Sequence, residues 1–358
     1  PARITKVYRF KGSGMEETQV AGTGEIVAVA GMDSITIGQT LTDPENPAPL
    51  PGIDIDPPTI SMNFIPNDSP FAGKEGRFLT SRHIRERLLR ETLSDVALVV
   101  EEISDSIGYK VSGRGELHLS ILIEKMRREG YEFQVTRPKV IIKETGDGIL
   151  EPYEELAIDV DEQYSGNVIE NLGKRKGHMV HMHQEKGIVR LSYRIPTRGL
   201  IGFRSQFLTE TKGTGTMNYI FDGYDRYAGE FKNRTNGVLV VMEECTTVAY
   251  ALFNLQERGE LFVGPGEKVY GGQIIGEHTR EIDLVINPAK GKKLTNMRAA
   301  GSDDAVILTP ARHMSLEDCI SYINEDELVE ITPKSIRLRK TILDGLERKR
   351  SKIAGQKS

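Results

Sequence analysis

The run EELAIDV (154–160), SGNVIENLGKRKG (165–177), HMVHMHQ (178–184), GIVRLSYRI (187–195), RGLIGFRSQFLTETKG (198–213) and TGTMNYIF (214–221) decides the fold. Its first, third, fourth and sixth pieces read as strands. The second and fifth read as helices, Val168, Ile169 and Leu172 forming an apolar stripe on the second. The order β-α-β-β-α-β is the split βαβ, or ferredoxin-like, arrangement.

The same order occurs just upstream. TISMNFI (59–65) reads as a strand and TSRHIRERLLRETL (80–93) as a helix with Ser81 as N-cap and Ile84, Leu88 and Leu89 on its apolar face. ALVVEEI (97–103), YKVSG (109–113), the helix ELHLSILIEKMRREG (116–130) and YEFQVTR (131–137) complete it. Before this unit, residues 42–58 hold Pro44, Pro47, Pro49, Pro51, Pro57 and Pro58, which forbid helix and mark a stiff linker. Residues 3–41 read as four short strands with glycine turns, the last over 34–41, resembling the back of a β-barrel. Beyond 229 the chain is strand-rich, with GPGEKVYGGQIIGE (264–277) cadenced like a barrel.

The expected architecture is therefore α+β and multidomain. It comprises a partial β-barrel over 1–41, the linker 42–58, ferredoxin-like domains over 59–142 and 143–228, and a strand-rich C-terminal domain over 229–358. The 358 residues allow two to three domains at about 150 residues each, and 38% hydrophobic content is enough for packed cores. The opening Pro1 and a strand-like start lead to the expectation of a piece of a longer protein.

Composition narrows the function. Lys and Arg number 47 against 52 Asp and Glu, a net charge of -5, which excludes a globally basic nucleic-acid binder but leaves local patches open. Two cysteines, Cys245 and Cys319, cannot build a disulfide scaffold or a four-thiolate zinc site, and Glu243 and Glu244 beside Cys245 disfavour a thiolate nucleophile. With no run near 20 apolar residues and no signal peptide, the expectation is a soluble, cytoplasmic protein that engages no membrane.

Catalytic machinery is not found. GSGME, GRGEL, GTGTM and GPGEK lack the spacing to Lys-Ser/Thr of a phosphate loop, and no nucleophile elbow or H-E-x-x-H helix occurs. His178, His181 and His183 invite a metal reading. Strict alternation places His181 and His183 with Met179 and puts His178 on the other face, which leaves too few ligands. The acids between Glu151 and Glu162 are expected mainly on a solvated strand face. No catalytic, cofactor or metal residue is assigned, and no small-molecule substrate is expected for this chain.

Charge is gathered in two places, besides a basic tail from Lys334 that holds Arg337, Arg339, Lys340, Arg348, Lys349, Arg350 and Lys352. Between 171 and 213, nine cations (Lys174, Arg175, Lys176, Lys186, Arg190, Arg194, Arg198, Arg204 and Lys212) face only Glu185 and Glu210. A helix C-terminus accounts for Lys174, Arg175 and Lys176, whereas Arg194, Arg198 and Arg204 are open to RNA contact or to a solvated face. The second place is the basic loop over 287–305. It carries Lys290, Lys292, Lys293, Asn296, Met297 and Arg298 among small residues that bury no core. Cations with an amide and a thioether suit phosphate, sugar and base contacts on RNA.

SGRGELHLSILIEKMRREGYEF (112–133) and EPYEELAIDVDEQYSGNVIENLGKRKG (151–177) resemble the third and fifth domains of the elongation factor G family. NGVLVVMEECTTVAYALFNLQERGELFVGPGEKVYGGQIIGEH (236–278) and GKKLTNMRAAGSDDAV (291–306) resemble the BipA (TypA) branch in particular. The resemblance implies a ribosome-binding translational GTPase that acts in large-subunit assembly and in stress and cold adaptation. Its GTP and Mg2+ belong to a G domain that this sequence does not contain, so the chain itself is expected to be no enzyme. The implied partners are large-subunit rRNA and A-site tRNA, with the small subunit a further contact, and the 290–298 loop is implied to reach the A site. The competing readings are a metal-dependent enzyme using the histidine strand and a protein-only interaction scaffold.

Overall fold

The computed structural model describes residues 3–32, 35, 37–52, 56–104, 107–146, 148–231, 234–290 and 307–355. The chain divides into two units, residues 1–55 with 90–96, and the remainder. In the first unit β1 (Lys6–Lys11) pairs antiparallel with β2 (Gly14–Thr18) and with β3 (Val27–Ala30), in the order β2-β1-β3. The fourth strand expected over 34–41 does not form at its described positions, 35 and 37–41. Three strands enclose no interior: Phe10, Met15 and Ile26 remain exposed, and no closed barrel exists among the described residues.

The second unit opens with β4 (Ile60–Pro66), α1 (Ser81–Thr92), β5 (Val99–Glu102), β6 (Tyr109–Gly113), α2 (Glu116–Glu129) and β7 (Phe133–Thr136). The sheet order β7-β4-β6-β5 is the ferredoxin-like one. Alternation in β4 buries Ile60, Met62 and Phe64 against Ile84 and Leu88 of α1 and Leu119, Ile123 and Met126 of α2. Helix α2 stops at Gly130, whose φ of 99° lets its N–H turn back to the last carbonyls. The N-cap of α1 is Thr80, not Ser81. The Thr80 hydroxyl accepts the His83 N–H at 3.3 Å, while Ser81 Oγ lies 2.8 Å from the Tyr109 hydroxyl.

After β8 (Lys139–Val140) and β9 (Lys143–Thr145) come β10 (Gly148–Asp161), α3 (Glu162–Lys174), β11 (His178–Glu185), β12 (Ile188–Pro196), α4 (Thr197–Leu200), α5 (Phe203–Glu210) and β13 (Thr216–Arg226). Their order, β11-β12-β10-β13, repeats the ferredoxin-like pattern around a core of Leu156, Ile158, Leu172, Leu191, Phe203 and Phe207. The single helix expected over 198–213 is broken between Leu200 and Phe203, where Gly202 adopts a φ of 70°.

The last elements are β14 (Val238–Val241), β15 (Cys245–Thr246), α6 (Ala249–Gln256), β16 (Gly259–Leu261), β17 (Lys268–Val269), β18 (Gln273–His278), β19 (Leu284–Ile286), α7 (Leu316–Tyr322), β20 (Glu327–Ile331), β21 (Ile336–Lys340) and α8 (Gly345–Gly355). Strand β20 pairs antiparallel with β7, so one sheet runs β19-β14-β18-β21-β20-β7-β4-β6-β5 through the first and third modules. One core follows it, joining Phe64, Phe133 and Val135 to Val329, Ile274, Val238 and Ile320.

The seam carries buried charge. Glu330 Oε1 accepts from Ser69 Oγ at 3.0 Å, Asn67 Nδ2 at 3.2 Å and Arg337 Nη1 at 3.0 Å, and its Oε2 accepts from the Tyr270 hydroxyl at 2.5 Å. Arg337 also meets Glu75 at 2.5 Å, and Arg339 meets Asp68 at 2.5 Å. Removing one member leaves its partners desolvated and unmatched, which typically costs about 3–5 kcal/mol. Glu330→Ala is expected to lower stability by about that amount in denaturant unfolding, more than Glu330→Gln, which keeps an acceptor for Arg337.

Candidate nucleic-acid interface

The cations of the second module divide sharply by environment. Arg175 is turned inward: its guanidinium donates to the carbonyls of Gly199 at 2.9 Å and Ile201 at 3.0 Å, and to Gln206 at 3.0 Å. It thereby satisfies carbonyls where α4 gives way to α5. Arg198 forms a two-pronged ion pair with fully buried Glu151 and lies over the rings of Tyr227 and Phe231. Arg194 is clamped between Asp222 and Asp225, each at 2.6 Å, above the Tyr153 ring. Arg190 pairs with Asp159 at 2.7 Å, and Lys174 with Glu170 at 2.6 Å. Arg175, Arg194 and Arg198 are held by the protein itself, whereas Arg190 and Lys174 sit in exposed surface pairs.

Lys176, Arg204, Lys212 and Lys290 are exposed and have no ion-pair partner among the described residues. Lys176 and Lys212 project from positions with φ of 66° and 51°. Lys292, Lys293, Asn296, Met297 and Arg298 lie outside the described residues. Of the cations near the C-terminus, Arg337, Arg339, Lys340 and Arg348 are engaged internally, whereas Lys334, Lys349 and Arg350 are exposed. Lys340 is buried against Asp283, Asp326 and Glu327 at 2.8–3.0 Å, and Arg348 donates to the Ile342 and Leu343 carbonyls.

The histidine strand differs from simple alternation. A bulge at Val180 shifts the register of β11, so that His178 faces Arg194, His181 faces Ser192 and His183 faces Arg190. Directly opposed residues share a sheet face, so all three histidines stand on the side away from α3 and α5, while Met179 opposes buried Tyr193. Even so aligned, no group of three or more His, Cys, Asp or Glu able to hold a metal occurs among the described residues. The thiols are unsuited to nucleophilic work. Burial, with Glu243 adding, raises Cys245, and burial pushes Cys319 up to about 12.

Two carboxyls that sequence reasoning left on a solvated face or passed over sit where the first and second modules meet. Glu154 shares the inward parity of Leu156, Ile158 and Val160 and is buried, accepting from the Thr197 hydroxyl at 2.9 Å. Glu116, the first residue of α2, accepts the Gly202 N–H at 2.9 Å through Oε2, while its buried Oε1 has no hydrogen-bond partner. Burial raises both to about 7, against the Gly202 N–H and Arg175 for Glu116 and against the Thr197 hydroxyl for Glu154. The inward parity of Glu154 was the available sequence signal.

The second ferredoxin-like module is of a known class. Residues 148–235 match the family described as elongation factor G C-terminus. Residues 236–345 match the TypA/BipA C-terminal domain. The chain is 51% identical over 358 residues to a Salmonella typhimurium protein named "Large ribosomal subunit assembly factor BipA", covering 99% of this chain and 59% of that protein. Proteins of the same name from Escherichia coli K12 (51% identity, 99% of this chain and 58% of theirs) and Bacillus subtilis 168 (48%, 99% and 59%) match in the same way. Along almost its whole length the chain is similar to these TypA/BipA proteins, and it spans less than two thirds of the length of these curated relatives. No helix among the described residues is long and apolar enough to cross a membrane.

The two raised carboxyls set a pH dependence. Both hold their protons more tightly in the folded chain than at their ordinary 4.5, so the full stability is present below that value and is lost as pH rises through about 7. Denaturant unfolding is expected to show a loss on the order of 1–3 kcal/mol between pH 5 and 8. The Glu116→Gln, Glu154→Gln double variant should flatten that slope.

Proposed function

We propose that the chain is the ribosome- and RNA-binding portion of a translational GTPase that acts in assembly of the large ribosomal subunit, with a further part in stress and cold adaptation. The observation that carries this reading is identity near one half, along 99% of the chain, to proteins named as large-subunit assembly factors. GTP and Mg2+ are proposed for the whole protein and for no residue of this chain, which is proposed to have no catalysis of its own. Its place of action is then the cytoplasm, where ribosomes assemble.

The proposed contacts are with large-subunit rRNA and A-site tRNA, the small subunit being secondary. Phosphate binding is electrostatic and needs cations that are not already neutralised. Lys176, Arg204 and Lys290 meet that condition in the fold, and Lys292, Lys293, Asn296, Met297 and Arg298 extend the same basic segment. Arg194 and Arg198 could serve RNA only by exchanging carboxylate partners, and Arg175 only by abandoning carbonyls, whereas Lys174 gives up its exposed Glu170 partner at little cost.

Binding to purified large subunits is expected to weaken linearly on a log–log plot against salt. Replacing Lys290, Lys292, Lys293 and Arg298 by Ala should reduce the slope by about 0.7–0.9 per lost phosphate contact. An unchanged slope in a folded variant overturns the role of the loop. Binding that survives complete ribonuclease digestion of the RNA instead supports a protein-only scaffold. Arg175→Ala should behave differently, lowering the unfolding midpoint while leaving the salt slope of the remaining folded protein unchanged.

A further inference from the structure

Arg137 follows β7 and reaches into a crevice bounded by the β7–β8 connection, the start of α4 and residues 227–231. Its guanidinium is half-buried, yet it makes no hydrogen bond or ion pair among the described residues. Burial pulls it below its ordinary value, with Glu325 and Glu327 opposing that shift and Arg234 adding to it. A half-buried guanidinium that has no acceptor is costly to keep, and it favours an anion that enters the crevice. The nearby acids are already engaged. Glu325 pairs with Lys139 at 3.2 Å, and Glu327 holds Arg234 and Lys340, each at 2.8 Å.

The opposite wall is aromatic. The Arg198 guanidinium lies 4.3 Å from the Tyr227 ring centroid and 4.7 Å from that of Phe231, and Glu151 neutralises it. Arg198 thus props the two rings rather than offering charge, and Tyr227 keeps 41% of its surface exposed. Glu230 at the rim is exposed, so water screens its repulsion of an anion. The crevice measures about 350 Å³, within the roughly 300–1,000 Å³ usual for small-ligand sites.

The chemistry asked for is one anionic group to accept from Arg137, joined to a flat ring that can lie on an aromatic surface. A nucleoside phosphate supplies both. We propose that this crevice binds a nucleoside phosphate, its phosphate on Arg137 and its base against Tyr227 and Phe231. The ligand is either an unpaired nucleotide of an RNA strand, which rests on the RNA-binding reading above, or a free mononucleotide, which does not. The crevice lies where all three modules of the second unit meet, so its occupant would bear on how firmly they hold together.

The test uses the full chain with two ligands, uridine 5′-monophosphate and a six-nucleotide oligouridine carrying one 4-thiouridine. The expected result is a photo-crosslink on the peptide containing Tyr227 and Phe231, with affinity falling at least about tenfold in Arg137→Met. Tyr227→Ala, at a partly exposed ring, is the second variant should Arg137→Met not fold, and it should lose roughly fivefold or more. Capture of the monophosphate with no binding of the oligomer supports the crevice as a free-nucleotide site. An oligomer that binds but crosslinks only elsewhere, with both variants unaffected, overturns the crevice and leaves the RNA-binding reading standing. Binding of neither ligand to the folded chain also overturns it, while the salt-dependent ribosome assay judges the broader reading separately.

Discussion

The antiparallel pairing of β20 with β7 holds the second unit together. Leu328–Ile331 meet Phe133–Thr136 residue for residue, and the apolar members on one face close the core that spans the first and third modules. All five residues of β20 are buried, and two of them are glutamates. Glu327 is met by Arg234 and Lys340, and Glu330 by Arg337, Tyr270, Ser69 and Asn67. A shift of one residue would move both carboxylates away from these partners and bury them unmatched, at a cost that few alternative contacts could offset. The charges therefore specify the register more than they strengthen the sheet.

The same principle governs the second module, where local charge and available charge differ. Nine cations against two acids in sequence become, in space, a set of pairs with acids brought from other strands: Asp159 to Arg190, Asp222 and Asp225 to Arg194, Glu151 to Arg198. The remaining exposed cations are few and lie at turns and helix ends. A basic stretch in a strand-rich module thus overstates the charge that a polyanion would meet, because neighbouring strands supply counter-ions the linear sequence does not display.

Both ferredoxin-like units were legible because their signals are local: period-two strands, period-3.6 helices and a glycine stop such as Gly130. The joining of first and third modules into one sheet was not, since β7 and β20 lie nearly two hundred residues apart and carry no mutual mark. The break at Gly202 escaped because an apolar run continues through it. The bulge at Val180 escaped because no Gly or Pro announces it, and it reverses the face assigned to His178. For the site, the basic segments were readable, but the internal engagement of Arg175, Arg194 and Arg198 depended on tertiary neighbours. Nothing in the sequence marks Arg137, since a lone arginine before a proline looks ordinary until its surroundings are seen.

The β7–β20 closure also constrains how the chain is made. Synthesis proceeds from the N-terminus, so β4, β6, β5 and β7 leave the ribosome long before residues 327–340 exist. Until then the outer rim of β7 has no neighbour, and rims of this kind invite pairing with the wrong strand. The intervening second module has its own core and can fold during the wait, whereas completion of the long sheet is deferred until residues 327–340 have been made. Loss of residues 327–340 would thus be felt in a strand made some two hundred residues earlier.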